Sequence, residues 1–586
     1  MRGFDQFDQQ RVRAAHPNYD HVQRTQRPVA RNQPGRHAGR PKAWGRRCET
    51  AQTGLVIAAL RVPALNATTI PVLAALVRQR ITALCLIALL VLASYVRLTG
   101  LTDSFVSFHS TRQYRCALIA RAFYYEITLP TNEPLRLVAE RAREQLGRLE
   151  PPITESLVTF GYWLTHGEHV AVARVLGASF WVAGGGLLYS LAAELFTPAA
   201  ALFAAAYYLF LPFGIVASQS FQPEALMMML MIGSWRALLA YRTHPSRQRF
   251  WTATLVAGLA LLAKPVTGFS IAALQLTWMW RGRSFAEAIK RRDNWLLPPL
   301  LLLPTLAYYL PDILHGGRLS GQADLSFQPE LLQTQYFWLK WRELLMHVAQ
   351  GHLPLAAAAL GVCFARRGRA RRTLIVLWLS YLVYGATFTY HINSHDYYQL
   401  PCVPIIALSI AALAERLRWL SRNRPGHRVQ NTLGELVRVA LAAGSVWLAF
   451  ATLEAIESDA YPRTHRDSNR RPDTRYQDIG RSVQHSLHTV FLTSDSYGGP
   501  LMFYGELAGW YWPTHRDIHN AANRGKPRFD PVQRLVDLRA QGAEFFVSSP
   551  PDELPKQPTL FKLLRHDYPL HTRTDDYLIF DLRRPR

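Results

Sequence analysis

Residues 251–281 read WTATLVAGLALLAKPVTGFSIAALQLTWMWR. Two apolar runs, 251–263 and 266–281, lie on either side of Lys264-Pro265. A helix that crosses a membrane needs about 20 mostly apolar residues, so each run is short for a span on its own. Because proline lacks a backbone donor and disturbs the preceding turn, the stretch predicts either two tilted helices or one broken helix. The choice decides on which side of the membrane every later loop lies.

Apolar runs of this kind recur along the 586-residue chain. The mean hydropathy is only −0.02, but the apolar residues are clustered, whereas a soluble fold would spread them at helix or strand period. With the two runs counted separately, the candidate spans are 81–98, 169–193, 196–215, 222–241, 251–263, 266–281, 294–312, 343–364, 372–390, 398–415 and 434–453. The sequence therefore predicts a mainly α, polytopic helical membrane protein with about eleven transmembrane helices.

The loops between these runs differ sharply in arginine content, which tests the count. If the N-terminus is cytoplasmic, alternation places four arginine-rich loops on the cytoplasmic side: Tyr241–Phe250, Arg281–Arg292, Arg366–Arg372 and Glu415–Arg428. The opposite loops, at 216–222, 313–340 and 391–397, are much poorer in arginine. Cytoplasmic loops of membrane proteins carry excess Lys and Arg, so eleven spans, with the N-terminus in and the C-terminus out, is the consistent solution.

The net charge of +25 invites a nucleic-acid interpretation, which the placement of the charges disfavours. The arginines lie mostly in the N-terminal tail and in short loops, where topology accounts for them. Residues 1–79 are predicted to form a disordered, basic cytoplasmic tail, because residues 1–50 have very few aliphatic residues; the stretch 54–77 is moderately apolar, and an interfacial helix is an alternative for it. The five cysteines show no metal-ligand spacing, so no metal site is predicted from them.

Three domains follow from this pattern. The tail is followed by a transmembrane domain over 80–455, with a large first outer loop at 99–168 that contains the amphipathic stretch Leu135–Leu149. A small extracytoplasmic α/β domain is predicted over 456–586. Its strand-like runs are Thr489–Ser494, Glu544–Ser548 and Tyr577–Leu582, and Val532–Ala540 has a helical pattern. The predicted location is the cell (inner) membrane.

The first outer loop has the densest group of candidate functional side chains. Asp103, His109, Arg112, Gln113 and Arg115 lie within 13 residues, directly after the first span. A solvated surface loop is the alternative explanation. At a membrane surface, however, cations of this kind can hold a phosphate while a carboxylate accepts a proton.

Other outer segments add polar groups on the same predicted side. His395, Asp396 and Tyr397 gather where a span begins; a metal site or an aromatic belt are weaker interpretations of this group. Glu224 and Lys264 are ionisable residues at membrane depth, which are costly there and therefore functional candidates; snorkelling to the interface is the alternative for Lys264. Glu150 precedes Pro151-Pro152, and a solvated side chain at a helix start would explain it.

The ordered set of these features resembles the GT-C fold glycosyltransferases, in particular the family 39-like group of protein O-mannosyltransferases and the aminoarabinose transferase of lipid A. The resemblance covers roughly 80–455. It rests on the first outer loop, the Pro-Pro before the second span, and three motifs: ARVLG at 173–177, SFQPEAL at 220–226 and GLALLAKP at 258–265.

The resemblance implies a polyprenyl-phosphate sugar as donor and an envelope lipid, glycan or protein as acceptor. It implies transfer on the extracytoplasmic side, with inversion and a carboxylate as general base. The family usually has an Asp-Glu pair in the first outer loop, where this chain has Arg112-Gln113. The base is therefore expected to be Asp103, with Asp396 as second choice.

The same resemblance implies roles for the remaining candidates. Arg112, Arg115 and Lys264, with His395, are expected to hold the lipid phosphate, and His109 and Asp396 to orient the substrate or base. Gln113, Glu224 and Tyr397 complete the expected substrate-binding set. No cofactor is required; a bound divalent cation is compatible with neighbouring acids and a phosphate.

Two other classes of function compete with this interpretation. Transporters and lipid flippases often show internal repeats and ionisable residues near the membrane centre, whereas no repeat is evident here and the polar residues gather near one face. A non-catalytic membrane protein that keeps the GT-C fold is the second alternative, because the Asp-Glu pair is missing.

The topology is open to a direct test. A reporter that is active only outside the cytoplasm is expected to be active when fused after Arg586 and inactive when inserted within Arg366–Arg372, because only the latter segment carries the charge of a cytoplasmic loop. The reverse pattern of activities would contradict the orientation.

Overall fold

A computed structural model of the protein describes residues 69–102, 105, 108–128, 133–147, 149–279, 285–317, 319–321, 326–422, 474–523 and 527–586. The predicted span at 434–453 and almost all of the predicted tail lie outside these residues, as does Asp103.

The described part of the chain up to residue 422 is helical. Its α-helices are α1 Thr69–Arg97, α2 Ser110–Ile127, α3 Glu133–Leu146, α4 Ile153–Leu164, α5 Val170–Leu195, α6 Pro198–Phe210, α7 Pro212–Gln219, α8 Glu224–Thr243, α9 Arg247–Ala263, α10 Gly268–Met279, α11 Phe285–Lys290, α12 Arg292–Leu314, α13 Gln335–Ala349, α14 His352–Phe364, α15 Arg369–Thr387, α16 Thr389–Ser394 and α17 Val403–Arg422. Short 3₁₀ segments at Pro265–Thr267, Pro329–Gln333 and Asp396–Cys402 connect some of them. The predicted mainly α class is confirmed.

Within the described residues, four helical segments are long and apolar enough to cross a membrane: Leu76–Arg97, Val170–Leu195, Arg292–Leu314 and Asp396–Leu420. The number rises to six if the bent pairs α6–α7 and α13–α14 each form one span. Large apolar side chains on these helices are exposed, among them Leu84, Val91 and Leu303, which suits a lipid environment. The total of about eleven spans stays a prediction.

Three apolar runs of the sequence are interrupted in the structure. The run 251–281 forms α9 and α10, which are separated by the Pro265–Thr267 turn. The run 196–215 bends by 56° between α6 and α7, where Pro212 cannot donate to the helix ladder. The run 343–364 bends by 94° between α13 and α14, because Gln350 and Gly351 both have positive φ.

The ARVLG motif packs directly on the segment that leads to the SFQPEAL motif. A Cβ atom at Gly177 would lie 2.5 Å from the backbone oxygen of Ser218, so only glycine allows this approach. The Arg174 guanidinium reaches the carbonyl of Gln219 at 3.5 Å. The two motifs therefore form one packed unit that fixes the start of α8.

Residues 474–586 form the predicted α/β domain. The strands are β1 Thr489–Leu492, β2 Gly509–Trp512, β3 Phe545–Ser548, β4 Leu570–Arg573 and β5 Leu578–Asp581, and the helices are α18 Thr474–Ser482, α19 Gly499–Tyr504, α20 His515–Asn523, α21 Pro531–Ala540 and α22 Pro558–Asp567. The sheet order is β2-β1-β3-β5-β4. Strands β1, β2 and β3 are parallel, and β5 is antiparallel to β3 and β4. The predicted β1, β3, β5 and α21 are confirmed.

The two faces of this sheet pack against different partners. Val490, Leu492 and Trp512 pack under α21 and α22 in a core that belongs to the domain alone. Phe491 and Phe545 face the other way, into a core shared with α2 of the first outer loop. The domain is therefore packed onto α2 through one face of its sheet.

Arg121 of α2 anchors this contact. Its guanidinium pairs with Glu168 at 2.8 Å, donates to the carbonyl of Phe503 at 2.6 Å and lies 4.0 Å over the Phe503 ring. Because Arg121 is only 7% exposed, its removal would leave the Glu168 carboxylate without its cation and the Phe503 carbonyl without this donor in a low-dielectric site.

We expect Arg121→Ala to lower the free energy of unfolding by about 3 kcal/mol, because it breaks a buried ion pair. The matched control is Arg136→Ala, which removes the exposed pairs of α3 with Glu133 and Glu140 and should change the stability far less, because solvent screens exposed pairs. Thermal unfolding of the detergent-solubilised protein measures both; equal losses would contradict the anchoring role.

Candidate active site

Four charged side chains from four distant segments meet at one end of the helices. Arg112 Nη2 lies 2.7 Å from Glu150 Oε1 and 3.8 Å from Glu224 Oε1. Lys264 Nζ lies 3.7 Å from Glu150 Oε1 and forms a close ion pair with Glu224. We call these four residues the charge cluster.

Each member of the charge cluster is placed by the end of an element. Arg112 lies in the first turn of α2, and Glu150 precedes the prolines that begin α4. Glu224 is the first residue of α8, after Pro223, which is suited to a helix start. Lys264 ends α9, where Pro265 interrupts the apolar run. The breaks in regular structure thus bring the four charges together.

Two members of the charge cluster are buried and two are partly buried, and the cluster still has hydrogen-bonding capacity. Glu224 is 0% and Lys264 5% exposed, so Lys264 does not snorkel into solvent. Glu224 Oε2 and Arg112 Nε are buried and have no hydrogen-bond partner within the described part of the chain. One buried acceptor and one buried donor therefore point to a polar ligand.

Glu150 is ionised by its neighbours. Burial alone would raise its pKa, but the charges of Arg112 and Lys264 outweigh burial and hold the pKa well below its usual value of 4.5. Since both cations reach the same oxygen, Glu150 occupies the position between them that an anionic ligand would take. The interpretation of Glu150 as a solvated side chain is wrong.

Two tyrosine rings cover the ammonium of Lys264. Its Nζ lies 5.3 Å from the ring centre of Tyr397 and 5.5 Å from that of Tyr398, within the range of cation–π attraction. Tyr398 stacks on His391 at 4.7 Å, and burial lowers the pKa of His391 to about 4. His391 is therefore neutral at pH 7 and adds no charge.

A second group of polar side chains lies beside the charge cluster. His109 Nε2 is 2.6 Å from Asp396 Oδ1, and His347 Nε2 is 3.8 Å from Asp396 Oδ2. The His109 ring contacts the edge of Tyr397, with 4.7 Å between ring centres. The His395 ring lies 6.2 Å from that of His109. This arrangement orients Asp396 through His109.

His109 owes its position to a strained turn that two amides hold. Phe108 and His109 both have positive φ, 33° and 55°, which is uncommon for residues other than glycine. The carbonyl of Phe108 accepts hydrogen bonds from Gln113 Nε2 and Gln222 Nε2, each at 3.0 Å. Gln113 Oε1 in turn accepts from the backbone N–H of Phe221 at 3.0 Å. The first outer loop is thus pinned to the SFQPEAL motif.

The structure brings most of the predicted site residues together. His109, Arg112, Glu224, Lys264, His395, Asp396 and Tyr397 lie in one connected group. Gln113, fully buried, braces the turn. The Arg115 guanidinium donates to the carbonyls of Leu146 and Gly147 at 2.6 and 2.7 Å, so these contacts support the segment before Glu150. Asp103 lies outside the described residues.

Sequence reasoning missed Glu150, Tyr398 and His347 as members of this site. The sequence did offer a signal for Glu150. A carboxylate directly before a Pro-Pro helix start must lie at the end of that helix. His347 lies near the end of α13, and the bend after α13 that brings it close to Asp396 follows no proline.

Among the residues that the structure describes, no group of three or more His, Cys, Asp and Glu is arranged to hold a metal ion. The charges can do two other things. Two cations largely shielded from solvent can bind an anion and stabilise negative charge that develops on it. An oriented carboxylate next to them can accept a proton.

The pKa of Glu150 makes a prediction about acid stability. Because the pKa is lower in the folded than in the unfolded protein, Glu150 stabilises the fold above pH 4.5 and this contribution is lost as the pH falls below that value. We expect Glu150→Gln to lower the melting temperature at pH 7. The difference in melting temperature between the variant and the wild type should become smaller as the pH falls towards 3. Melting curves across this range measure the effect; a gap independent of pH would contradict it.

A protein-family model matches the part of the chain that carries three members of the charge cluster. Residues 150–308, which carry Glu150, Glu224 and Lys264, match the family model described as dolichyl-phosphate-mannose-protein mannosyltransferase. No curated protein sequence matches the chain.

Two solved structures share the fold over most of their length. ArnT of Cupriavidus metallidurans bound to undecaprenyl phosphate is similar at 15% identity and a TM-score of 0.53, over 84% of this chain and 97% of ArnT. An Archaeoglobus fulgidus oligosaccharyltransferase with zinc and sulfate is similar at 11% identity and a TM-score of 0.51, over 82% of this chain and 71% of that protein. The resemblance predicted from the sequence is therefore confirmed: the chain has the GT-C fold of the protein-mannosyltransferase and ArnT type of membrane glycosyltransferase.

Proposed function

We propose that this protein transfers a sugar from a polyprenyl-phosphate donor to a hydroxyl group of an extracytoplasmic acceptor, with inversion at the anomeric carbon. The acceptor is an envelope lipid, glycan or protein. The proposed location is the cell (inner) membrane, with the N-terminus in the cytoplasm and the C-terminal domain outside it.

The observation that carries the proposal is the pair of cations in the charge cluster, of which Lys264 is buried and Arg112 partly buried. Arg112 and Lys264 both reach Glu150 Oε1, at 2.7 and 3.7 Å, so an anion at that position contacts both. When a glycosyl phosphate bond breaks, the phosphate leaves with additional negative charge, and preorganised cations stabilise that charge in the transition state. The similarity to ArnT, a protein solved with undecaprenyl phosphate bound, supports the same donor class.

The donor phosphate has to replace Glu150 between the cations. Glu150 is the carboxylate of the charge cluster that is less buried, with a side chain 19% exposed against 1% for Glu224. Its displacement is therefore less costly than that of Glu224, which stays on Lys264. Glu224 Oε2 then remains as an acceptor for a hydroxyl group of the sugar.

The acceptor hydroxyl needs a base, and we propose Asp396, the second choice from the sequence, for this role. Its hydrogen bond with His109 fixes one oxygen, while its other oxygen lies 3.8 Å from His347. In the proposed step the acceptor oxygen attacks the anomeric carbon, the bond from that carbon to the phosphate oxygen breaks, and the carboxylate takes the proton. Asp103 is the other candidate for the base.

The remaining residues position the substrates. Tyr397 and Tyr398 provide apolar ring edges beside Lys264, against which a sugar or the first isoprene unit can pack. We propose that His395, next to Tyr397, contacts the phosphate or sugar. Arg115 and Gln113 hold the first outer loop in place from behind.

A transfer assay tests the proposal. Purified protein in liposomes with a labelled undecaprenyl-phosphate sugar and an envelope extract as acceptor is expected to transfer the label. Lys264→Gln should lower kcat/KM for the donor by about 10²–10³, because it removes one of two charges that stabilise the leaving phosphate. The control is Lys340→Gln, which removes only the exposed pair with Glu343 on α13 and should transfer normally.

The same assay assigns the base. We expect Asp396→Asn to lower kcat by about 10²–10⁴ without weakening donor binding. If Asp396→Asn is near normal and Asp103→Asn is inactive, the base is Asp103. Absence of transfer by the wild-type protein across donor sugars would overturn the proposed function.

A further inference from the structure

The segment that follows β1 occupies a special position in the C-terminal sheet. From β1 the chain passes to β2 on one side, and from β2 it returns to β3 on the other side of β1. The carboxyl end of β1 is therefore a topological switch point. In open α/β sheets, ligands bind in the crevice at such points.

The backbone after β1 adopts strained, left-handed conformations at two residues that are not glycine. Ser496 and Tyr497 have φ of 47° and 55°, and such conformations are retained where the surroundings enforce them, frequently at binding sites. Asp495 is held by the hydroxyl of Tyr476 at 2.7 Å and by Arg475 at 3.4 Å. These contacts hold the turn in place.

This turn touches the first outer loop beside the candidate active site. Ser496 Oγ lies 2.5 Å from Ser110 Oγ, and Ser110 begins α2 directly after His109. The path from Tyr497 to Asp396 therefore runs through the peptide bond to Ser496, the Ser496–Ser110 hydrogen bond, the peptide bond to His109 and the His109–Asp396 pair.

Tyr497 forms an aromatic pair with Tyr511 of β2. Their ring centres are 5.1 Å apart, and Tyr497 is 56% exposed. Tyr511 packs on the same side as Phe491, the sheet face that meets α2, whereas its neighbours Trp510 and Trp512 pack on the opposite face. The pair lies on the side of the sheet that faces the first outer loop.

We propose that Tyr497 and Tyr511 form a platform that binds a saccharide portion of the acceptor and aligns it with the candidate active site. Aromatic rings offer flat apolar faces to the C–H groups of a sugar, and the hydroxyl of Tyr511 donates to Asp517 at 2.6 Å, which fixes its ring. Asp495, two residues before Tyr497 and with a side chain 38% exposed, adds a carboxylate that can accept from a sugar hydroxyl. The assignment rests on the proposed function and narrows its acceptor to one that contains carbohydrate.

The test uses the full-length protein and an envelope glycan and glycolipid extract from cells that produce it. We expect Tyr497→Ala to raise the apparent KM for this extract about tenfold, the loss expected from one aromatic stacking contact. The KM for the labelled undecaprenyl-phosphate sugar and the rate of donor hydrolysis without extract should stay within twofold. Tyr497→Phe keeps the ring and should restore most of the affinity for the extract.

Trp510→Ala is the matched control, because it removes an aromatic side chain from the same strand on the opposite face of the sheet. Its KM for the extract should be unchanged. An unchanged KM for the extract in Tyr497→Ala, or an equal rise in the KM for the donor, would overturn the platform.

Direct binding separates the platform from the proposed function. Immobilised wild-type protein is expected to retain carbohydrate from the extract, and Tyr497→Ala to retain several-fold less. This difference without any transfer would support the platform and count against the transferase. Equal retention by both proteins, with transfer intact, would leave the transferase and exclude the platform.

Discussion

The charge cluster is the constraint on which the rest of the molecule depends. Two cations and two carboxylates out of bulk water are tolerable only if every charge faces its opposite at short range. Arg112, Glu150, Glu224 and Lys264 satisfy this condition because three helix ends and one proline turn meet at one point. A shift of any one of these elements would leave an uncompensated charge. The ends of α2, α4, α8 and α9 are consequently fixed relative to one another.

Helix α2 connects the charge cluster to the C-terminal domain. Its first turn carries Arg112 into the charge cluster, and its second half carries Arg121 to Glu168 and Phe503. Between them, Tyr114 enters the core that α2 shares with the sheet. A single helix is thus bound on one side to the membrane helices and on the other to the soluble domain. The position of the domain is therefore coupled to the geometry of the site.

Local signals in the sequence predicted much of this arrangement. Apolar runs predicted the helices, and ionisable residues within or beside them singled out Glu224 and Lys264, because such residues need a reason to be there. What escaped prediction depends on distant partners. Glu150 belongs to the site only because it contacts Arg112 and Lys264, and both lie far from it in the sequence. The 94° bend after α13 contains no proline, and β2, with the short sequence GWYW, has no clear alternation of polar and apolar residues.

The turn at Phe108 and His109 has one further consequence. The groups that hold it, Gln113 and Gln222, are neutral amides that neither gain nor lose protons and attract no counterions. Dissolved salt screens interactions between charges but leaves such hydrogen bonds nearly unaffected. Changes in ionic strength or acidity would thus alter how strongly the cations attract an anion, while the scaffold that aims His109 keeps its shape.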